Sequence, residues 1–311
     1  MPEQPPTLFR RGRLPRTGAA VAVLLALVAY VAVQYVFGGK ADPRCKVVSG
    51  NGDGASYTFG ADQAENAATV TAVGTARGMP ERAITIALAT ALQESGLRNI
   101  RHGDRDSLGL FQQRPTQGWG NARQIMDPAY SAARFYAHLE DVPGYSRLPL
   151  TVAAQRVQRS GFPQAYAKHE PDAALLAAAL TGRSPATLTC EGRTADEPGD
   201  PAKVRAALIR DFGRDVAPVS GPGGTVTVPV DAAAGGTEGG AGQRGWELAH
   251  WAVARAFALG IERVSYGGRE WSTADAGKEW RKQGKAGEKS AGGQRAGAGN
   301  GTDQVRIVVG H

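Results

Sequence analysis

Most of the hydrophobic pattern along this chain is helical, because apolar and small residues recur at spacings of three and four. The clearest case is the segment 80–95, where Ile84, Leu88 and Leu92 fall on one side. It starts with a proline, which suits a first helical turn, and Gly96, which follows it, is a natural stop. Further helices are predicted over residues 61–77, 127–139, 152–160, 172–180 and 202–212. The pattern therefore predicts a mainly α fold.

The last part of the chain has a different pattern, in which short runs of apolar and polar residues alternate. Strands are predicted at residues 261–266, 269–272 and 304–309. Residues 284–302 are rich in glycine and of low complexity, as in a flexible insertion. We therefore expect 243–311 to form a small α+β accessory domain with a Gly-rich insertion. Residues 196–242 are predicted to be a linker with a short helix.

The N-terminal segment has the pattern of a membrane anchor. Four arginines lie in the first 16 residues, and residues 17–39 carry no charge. We expect a basic cytoplasmic tail at 1–17, a transmembrane signal anchor at 18–39 and a linker at 40–55. Because positive charge marks the cytoplasmic side, this single-pass protein of the cell membrane should expose its bulk outside the cytoplasm. A cleaved signal peptide is the alternative, although its apolar region is usually shorter, about 7–15 residues.

Charge and composition exclude several classes of function. The net charge is +7 and the pI about 9.6, but the basic residues are scattered and no nucleic-acid-binding motif is present, so we expect no nucleic-acid partner. Attraction to an anionic cell envelope is the better explanation of the charge. The five histidines lack ligand spacing and two cysteines alone cannot hold zinc, so we expect neither a metal nor a cofactor. The sequence does not identify protein partners.

The two cysteines, Cys45 and Cys190, are predicted to lie outside the cytoplasm, where a disulfide between them can form. It would close a loop around most of the helical region. In the chain-entropy model such a bridge stabilises the fold by roughly 5 kcal/mol. Two free thiols are the alternative.

One motif carries candidate chemistry. Glu94-Ser95 is followed 15 residues after Glu94 by Gly109-Leu110-Phe111-Gln112, and 21 residues after Glu94 by Pro115. In residues and spacing this resembles the signature of soluble lytic transglycosylase and goose-type lysozyme domains. The resemblance covers roughly residues 58–185 and implies a lysozyme-like helical domain at 56–195. It also implies cleavage of the β-1,4 bonds between MurNAc and GlcNAc in peptidoglycan glycan strands.

Glu94 is the expected proton donor for the leaving oxygen, as glycosidic cleavage requires. It lies in the last turn of its predicted helix, where the helix dipole disfavours an ionised carboxylate. If the enzyme is a hydrolase, Asp104 or Asp106 should hold the attacking water. If it is a lytic transglycosylase, the resemblance implies no second carboxylate. The residues expected to bind substrate are Ser95, Gly109, Gln112 and Gln113.

The chain departs from the family at two places. Many relatives have Ala-Tyr-Asn-Ala-Gly later in the domain, whereas the counterpart here, residues 157–161, lacks both Tyr and Asn. A serine that often precedes the Gly-Leu element is Gly103 here. Tyr166 is a candidate to replace the missing tyrosine. These departures motivate an alternative function, a catalytically inactive peptidoglycan-binding module that serves cell-envelope assembly.

The C-terminal segment resembles a small domain of exported bacterial proteins that is related to zinc D,D-peptidases. The resemblance lies in its Trp-rich helix, its Tyr-x-x-Arg-x-Trp-Ser segment and its terminal strand. In that family the terminal strand reads Asp-His-Val-His, and the matching residues here are Asp303, Gln304, Val305 and Arg306. Glutamine and arginine are poor zinc ligands. We therefore expect this accessory domain to be non-catalytic.

Overall fold

The computed structural model describes residues 16–37, 43–160, 163–191, 198–230, 240–275, 279–283 and 303–310. The chain divides into two compact units, residues 1–42 and residues 43–311. In the described residues the helices are α1 (Arg16–Phe37), α2 (Ala61–Ala76), α3 (Glu81–Ser95), α4 (Ala122–Ile125), α5 (Pro128–Glu140), α6 (Leu150–Gln158), α7 (Glu170–Leu180), α8 (Pro201–Phe212), α9 (Gly240–Ala254) and α10 (Ala256–Leu259). The strands are β1 (Arg44–Val48), β2 (Ser56–Gly60), β3 (Leu188–Glu191), β4 (Val219–Ser220), β5 (Thr225–Pro229), β6 (Ile261–Tyr266), β7 (Arg269–Ser272), β8 (Arg281–Lys282) and β9 (Gln304–Val309).

The first unit contains α1, whose side chains are described from residue 21 to residue 32. A membrane-spanning helix needs about 20 consecutive apolar residues to match roughly 30 Å of hydrocarbon. In the part of the chain that the structure describes, none of the helices combines the length and the apolar character of a membrane span. Most of the predicted cytoplasmic tail, residues 1–15, and the segment 38–42 lie outside the described residues.

Helix α2 lies at the centre of the second unit. It packs against α3, α5, α7, α8 and α9, and its side chains from Gln63 to Thr75 are nearly all buried. Small residues allow this close packing: a Cβ on Gly74 would clash with Ile84 and would lie 2.7 Å from Cζ of Tyr136. The Tyr136 hydroxyl donates a hydrogen bond to the Val70 carbonyl at 3.0 Å, which ties α5 to α2. The alanine-rich sequence of α2 thus reflects helices packed around it on many sides.

A three-stranded antiparallel sheet in the order β2-β1-β3 joins the start of this unit to residues 188–191. Cys45 of β1 lies opposite Cys190 of β3, and the two form a disulfide. Both cysteines are almost fully buried. The bridge spans 145 residues of sequence and encloses helices α2 to α7.

A six-stranded antiparallel sheet in the order β4-β5-β9-β6-β7-β8 forms the other layer, with α9 packed on β6 and β9. The strands predicted at 261–266, 269–272 and 304–309 are confirmed as β6, β7 and β9. The Gly-rich insertion predicted at 284–302 lies outside the described residues. Because α9 packs on α2 and α7 as well, the regions predicted as lysozyme-like domain and accessory domain belong to one compact unit.

The predicted fold class, a mainly α protein, is contradicted by these two sheets. Helix accounts for about 54% of the structure and strand for 17%, so the class is mixed α+β. The error has a physical source in segments 44–48 and 225–229, which lie in predicted linkers but form β1 and β5. Their strand pairing is with distant residues: β1 pairs with β3, and β5 pairs with β9. Such partners leave no local signal in a short segment.

Candidate active site

Helix α3 presents Glu94 one residue before its C-terminal end. Pro80 is the N-cap and Gly96 is the C-cap, where a left-handed φ of 62° ends the helix as predicted. Two amide side chains of α2 hold the turn after Glu94: Gln63 Nε2 donates to the Gly96 carbonyl at 2.7 Å, and Asn66 Nδ2 donates to the Leu97 carbonyl at 2.9 Å. The backbone beneath Glu94 is therefore fixed by the central helix.

The Glu94 carboxyl is half-buried and is held by a tyrosine. The hydroxyl of Tyr166, from the 3-10 helix Pro163–His169, donates to Glu94 Oε1 at 2.7 Å. Tyr166 is fully buried, and burial together with the neighbouring Glu94 raises the pKa of its phenol. A hydrogen bond with Ser160 opposes that rise. Tyr166 therefore stays protonated and acts as a hydrogen-bond donor to Glu94.

Glu94 opens onto a cleft of about 960 Å³. The cleft lies between the C-terminal end of α3, the loop 104–119 and the C-terminal ends of α5 and α6. Its lining residues are Glu94, Asp104, Ser107, Gln112, Gln113, Arg114, Gln117, Trp119, His138, Asp141, Val142, Arg156, Val157, Gln158, Arg159 and Ser160. Polar and charged side chains predominate among them, which suits a ligand rich in hydroxyl and amide groups.

The two aspartates predicted as a second carboxylate differ sharply. Asp106 accepts hydrogen bonds from Arg114 Nε at 2.9 Å, from the Thr116 amide at 3.0 Å and from the Thr116 hydroxyl at 2.8 Å. The Thr116 amide, then Arg114 and the Thr116 hydroxyl, hold the pKa of Asp106 well below its usual range. Asp104 lines the cleft, and its side chain is 90% exposed with Arg105 at 3.9 Å. Only Asp104 of this pair is brought to the cleft that Glu94 lines.

Two residues predicted to bind substrate, Ser95 and Gly109, make structural contacts. The Ser95 hydroxyl donates to the Leu110 carbonyl at 2.8 Å and accepts from the Arg98 amide at 3.2 Å. Gly109 is buried with a φ of 76°, and a Cβ there would lie 2.8 Å from the Ile125 carbonyl oxygen. Neither residue lines the cleft. Ser95 joins the end of α3 to the Gly-Leu-Phe-Gln turn, and Gly109 allows that turn to pack closely against Ile125.

The two glutamines predicted to bind substrate do line the cleft. Gln112 adopts a left-handed φ of 48°, and its Nε2 donates to the Gly109 carbonyl at 3.1 Å. Its amide oxygen packs over Gly103, so a serine at position 103 would displace it. Gln113 is 2% exposed and donates from Nε2 to the Ser131 carbonyl at 3.0 Å. Its Oε1 is buried without a hydrogen-bond partner in the described part of the chain.

Tyr166, the candidate for the missing tyrosine, lies 72 residues beyond Glu94, so no local pattern connects the two. The structure also adds residues that the sequence analysis did not identify. Gln158, in the segment that lacks the family's tyrosine and asparagine, donates to the Phe111 carbonyl at 2.7 Å. The Trp119 and His138 rings pack in the cleft wall with centroids 4.2 Å apart. Burial, then Arg134, lowers the pKa of His138.

The C-terminal strand β9 places Gln304 and Arg306 at exposed positions, opposite Pro229 and Thr227 of β5. Asp303, which precedes the strand, is also exposed. In the part of the chain that the structure describes, no three His, Cys, Asp or Glu side chains are grouped to hold a metal ion. The candidate chemistry of the described residues is therefore centred on Glu94.

Comparison of the chain with protein-family models gives no match, and comparison with curated protein sequences gives none either. What the protein does is therefore inferred from its motif and from the geometry of the cleft.

Proposed function

We propose that this protein cleaves the β-1,4 glycosidic bonds of peptidoglycan glycan strands, with Glu94 as the proton donor. The observation that carries the proposal is the hydrogen bond from buried Tyr166 to Glu94 at the wall of a polar cleft. It supports the motif resemblance because a tyrosine near the acid is the family feature that residues 157–161 lack.

Tyr166 gives Glu94 a defined orientation. Because Oε1 accepts the hydrogen bond, Oε2 is the oxygen that carries the acidic proton towards the glycosidic oxygen. As that proton leaves, Glu94 becomes a carboxylate, and a hydrogen bond to an ionised acceptor is stronger than one to a neutral acceptor. The contribution of Tyr166 therefore grows as the transition state develops, which is the requirement for a group that accelerates a reaction.

The reaction that fits best is the lytic transglycosylase reaction. Glu94 protonates the bridging oxygen, and the bond between that oxygen and C1 of the muramoyl residue breaks. The muramoyl 6-hydroxyl oxygen then bonds to C1, and its proton returns to the Glu94 carboxylate. The product is a 1,6-anhydro sugar, and no water is consumed. This route needs one carboxyl group, and the engagement of Asp106 by Arg114 and Thr116 supports it over the two-carboxylate route.

Hydrolysis would require Asp104 to activate a water on the opposite face of the sugar. Mass analysis of fragments that the wild-type protein releases from purified peptidoglycan separates the two reactions. We expect anhydro ends, lighter by one water than reducing ends, and we expect Asp104→Asn to release them at the wild-type rate. Reducing ends, together with a large loss of rate in Asp104→Asn, would show a hydrolase. No release at all would favour the inactive binding module.

We also propose that the protein works outside the cytoplasm, where its substrate lies. The disulfide between Cys45 and Cys190 supports this location, because such bridges form and persist in oxidising compartments. Mass spectrometry of a non-reduced digest of the cellular protein should find the two cysteine peptides linked. Complete alkylation of both thiols without a reductant would contradict the location.

A further inference from the structure

Two arginines line the cleft at the C-terminal end of α6. Arg156 is in the last turn of α6 and Arg159 is its C-cap, three residues later. Both side chains are exposed, and both line the cleft. We refer to Arg156 and Arg159 as the arginine pair.

The arginine pair has no ion-pair or side-chain hydrogen-bond partner within the described residues. Arg114, in the same cleft, is engaged instead: it binds Asp106 at 2.9 Å. The acidic residues of the cleft lining are Glu94, Asp104 and Asp141, and none of them forms an ion pair with Arg156 or Arg159. Both guanidinium groups are therefore available to an anionic ligand.

A simpler explanation is that cations in the last turn stabilise the helix through its dipole. That explanation does not account for the conformation of Arg159, which has φ 52° and ψ 37°. Glycine is the usual residue at this left-handed position, because a side chain strains it. Strained residues of this kind concentrate at functional sites. Gln112, another residue of the cleft lining, shares this left-handed conformation.

We propose that Arg156 and Arg159 bind a carboxylate of the stem peptide on the glycan strand, and so make the protein prefer strands whose peptides carry free carboxylates. This inference rests on the proposed function, because it assumes a glycan strand in the cleft. Guanidinium groups bind carboxylates through paired hydrogen bonds. A stem peptide amide-linked to the strand supplies such carboxylates beside the sugar chain.

The test compares one peptidoglycan preparation in two forms, with its peptide carboxylates free or converted to amides. Wild-type protein should release fragments from the free form about tenfold faster, which is the effect of a favourable charge-assisted contact. The double variant Arg156→Gln/Arg159→Gln should lose this preference and keep the wild-type rate on the amidated form. Arg159→Lys should retain part of it. Arg123→Gln, which removes an exposed arginine of α4 outside the cleft, should behave as wild type.

Arg159→Gly controls for loss of folding, since glycine suits the left-handed backbone at this position. This variant should be at least as stable as wild type and should still lose the preference for the free form. Equal wild-type rates on the two forms would overturn the proposal, as would a double variant that is slowed equally on both. The proposal would also be overturned if amidation of the peptide carboxylates left the rate unchanged while removal of phosphate-bearing wall polymers lowered it.

Binding separates this inference from the proposed function. Cosedimentation with the two forms should show about tenfold tighter binding of the free form by Glu94→Gln, and loss of that difference when the arginine pair is also replaced. If wild type releases no fragments but the binding difference holds, the proposed function fails and the carboxylate site survives. If binding is the same for both forms, the carboxylate site is wrong whatever the rates.

Discussion

Glu94 and Asp211 are both carboxylates one residue before the end of a helix, α3 and α8, but their surroundings differ. Glu94 is half-buried at the cleft and accepts a hydrogen bond from Tyr166. Asp211 has a fully buried side chain and lies where α8 meets α2 and α9. Its Oδ2 accepts two hydrogen bonds, from the Trp251 indole N–H at 2.9 Å and from the Thr69 hydroxyl at 3.1 Å.

Asp211 is also bound by two arginines. Arg255 Nη1 lies 3.2 Å from its Oδ2, and Arg210 Nε lies 2.8 Å from its Oδ1. Arg255 in turn binds Glu65 at 2.7 Å. A carboxylate with so many donors has no lone pair left for a ligand and serves packing, whereas a carboxylate held on one oxygen beside a cleft keeps its chemistry. Substitutions should therefore affect stability at Asp211 and rate at Glu94.

The largest effect on stability is expected for Asp211→Asn. It leaves the buried Arg255 guanidinium without its closest buried counter-charge, and breaking a buried pair of this kind costs about 3–5 kcal/mol. Chemical denaturation should show that loss in the free energy of unfolding. Under conditions where the variant is folded, its rate of fragment release should match wild type. A stable variant with a much reduced rate would reverse the comparison.

A buried histidine of α9, His250, should make the stability of the fold depend on pH. His250 is fully buried, and burial lowers its pKa to about 4, with a hydrogen bond to the Ala179 carbonyl opposing the shift. Between pH 6.5 and 4 the unfolded state binds a proton that the folded state does not. The stabilisation is complete above about 6.5 and falls by about 3 kcal/mol on acidification to pH 4.

Unfolding free energies measured across that pH range should decline less steeply for His250→Gln than for wild type. His138→Gln is the matched control, because His138 in the cleft wall is only partly buried. This variant should keep most of the wild-type decline in stability with falling pH. Identical slopes for wild type and His250→Gln would show that the buried histidine is not the source.

A smaller effect is expected for Tyr166→Phe. It removes one hydrogen bond to an acid that becomes charged, so the rate should fall roughly 10–100-fold. Tyr136→Phe is the control, since it removes an equally buried hydroxyl that donates to the Val70 carbonyl. It should cost about 1 kcal/mol of stability and leave the rate unchanged. Equal rates for Tyr166→Phe and wild type would remove Tyr166 from the mechanism.

Much of the local structure could be predicted from the sequence. Pro80 and Gly96 bound α3 because their backbone preferences act locally, and the alternation in 304–309 identifies β9. The Cys45–Cys190 bridge was expected, but the sheet of β1, β2 and β3 was not predicted, because β1 and β3 are short strands far apart in the sequence. Short strands with distant partners resemble linkers in sequence.

The candidate site was predictable only in part. The motif leads to Glu94, and the structure places Gln112 and Gln113 in the same cleft. The motif could not show that Thr116 binds Asp106 or that Tyr166 reaches Glu94, since both contacts depend on how the chain folds back. Residue types and spacing identify candidate groups, but hydrogen-bond partners decide which of them are available for chemistry.

The most direct test of the account is the rate of glycan release by Glu94→Gln, measured beside its unfolding midpoint. The change keeps the size of the side chain and an acceptor for Tyr166 but removes the acidic proton. Loss of a general acid should slow release about 10²–10⁴-fold, with little change in the unfolding midpoint. Release by Glu94→Gln at the wild-type rate would contradict the assignment of Glu94 as the proton donor.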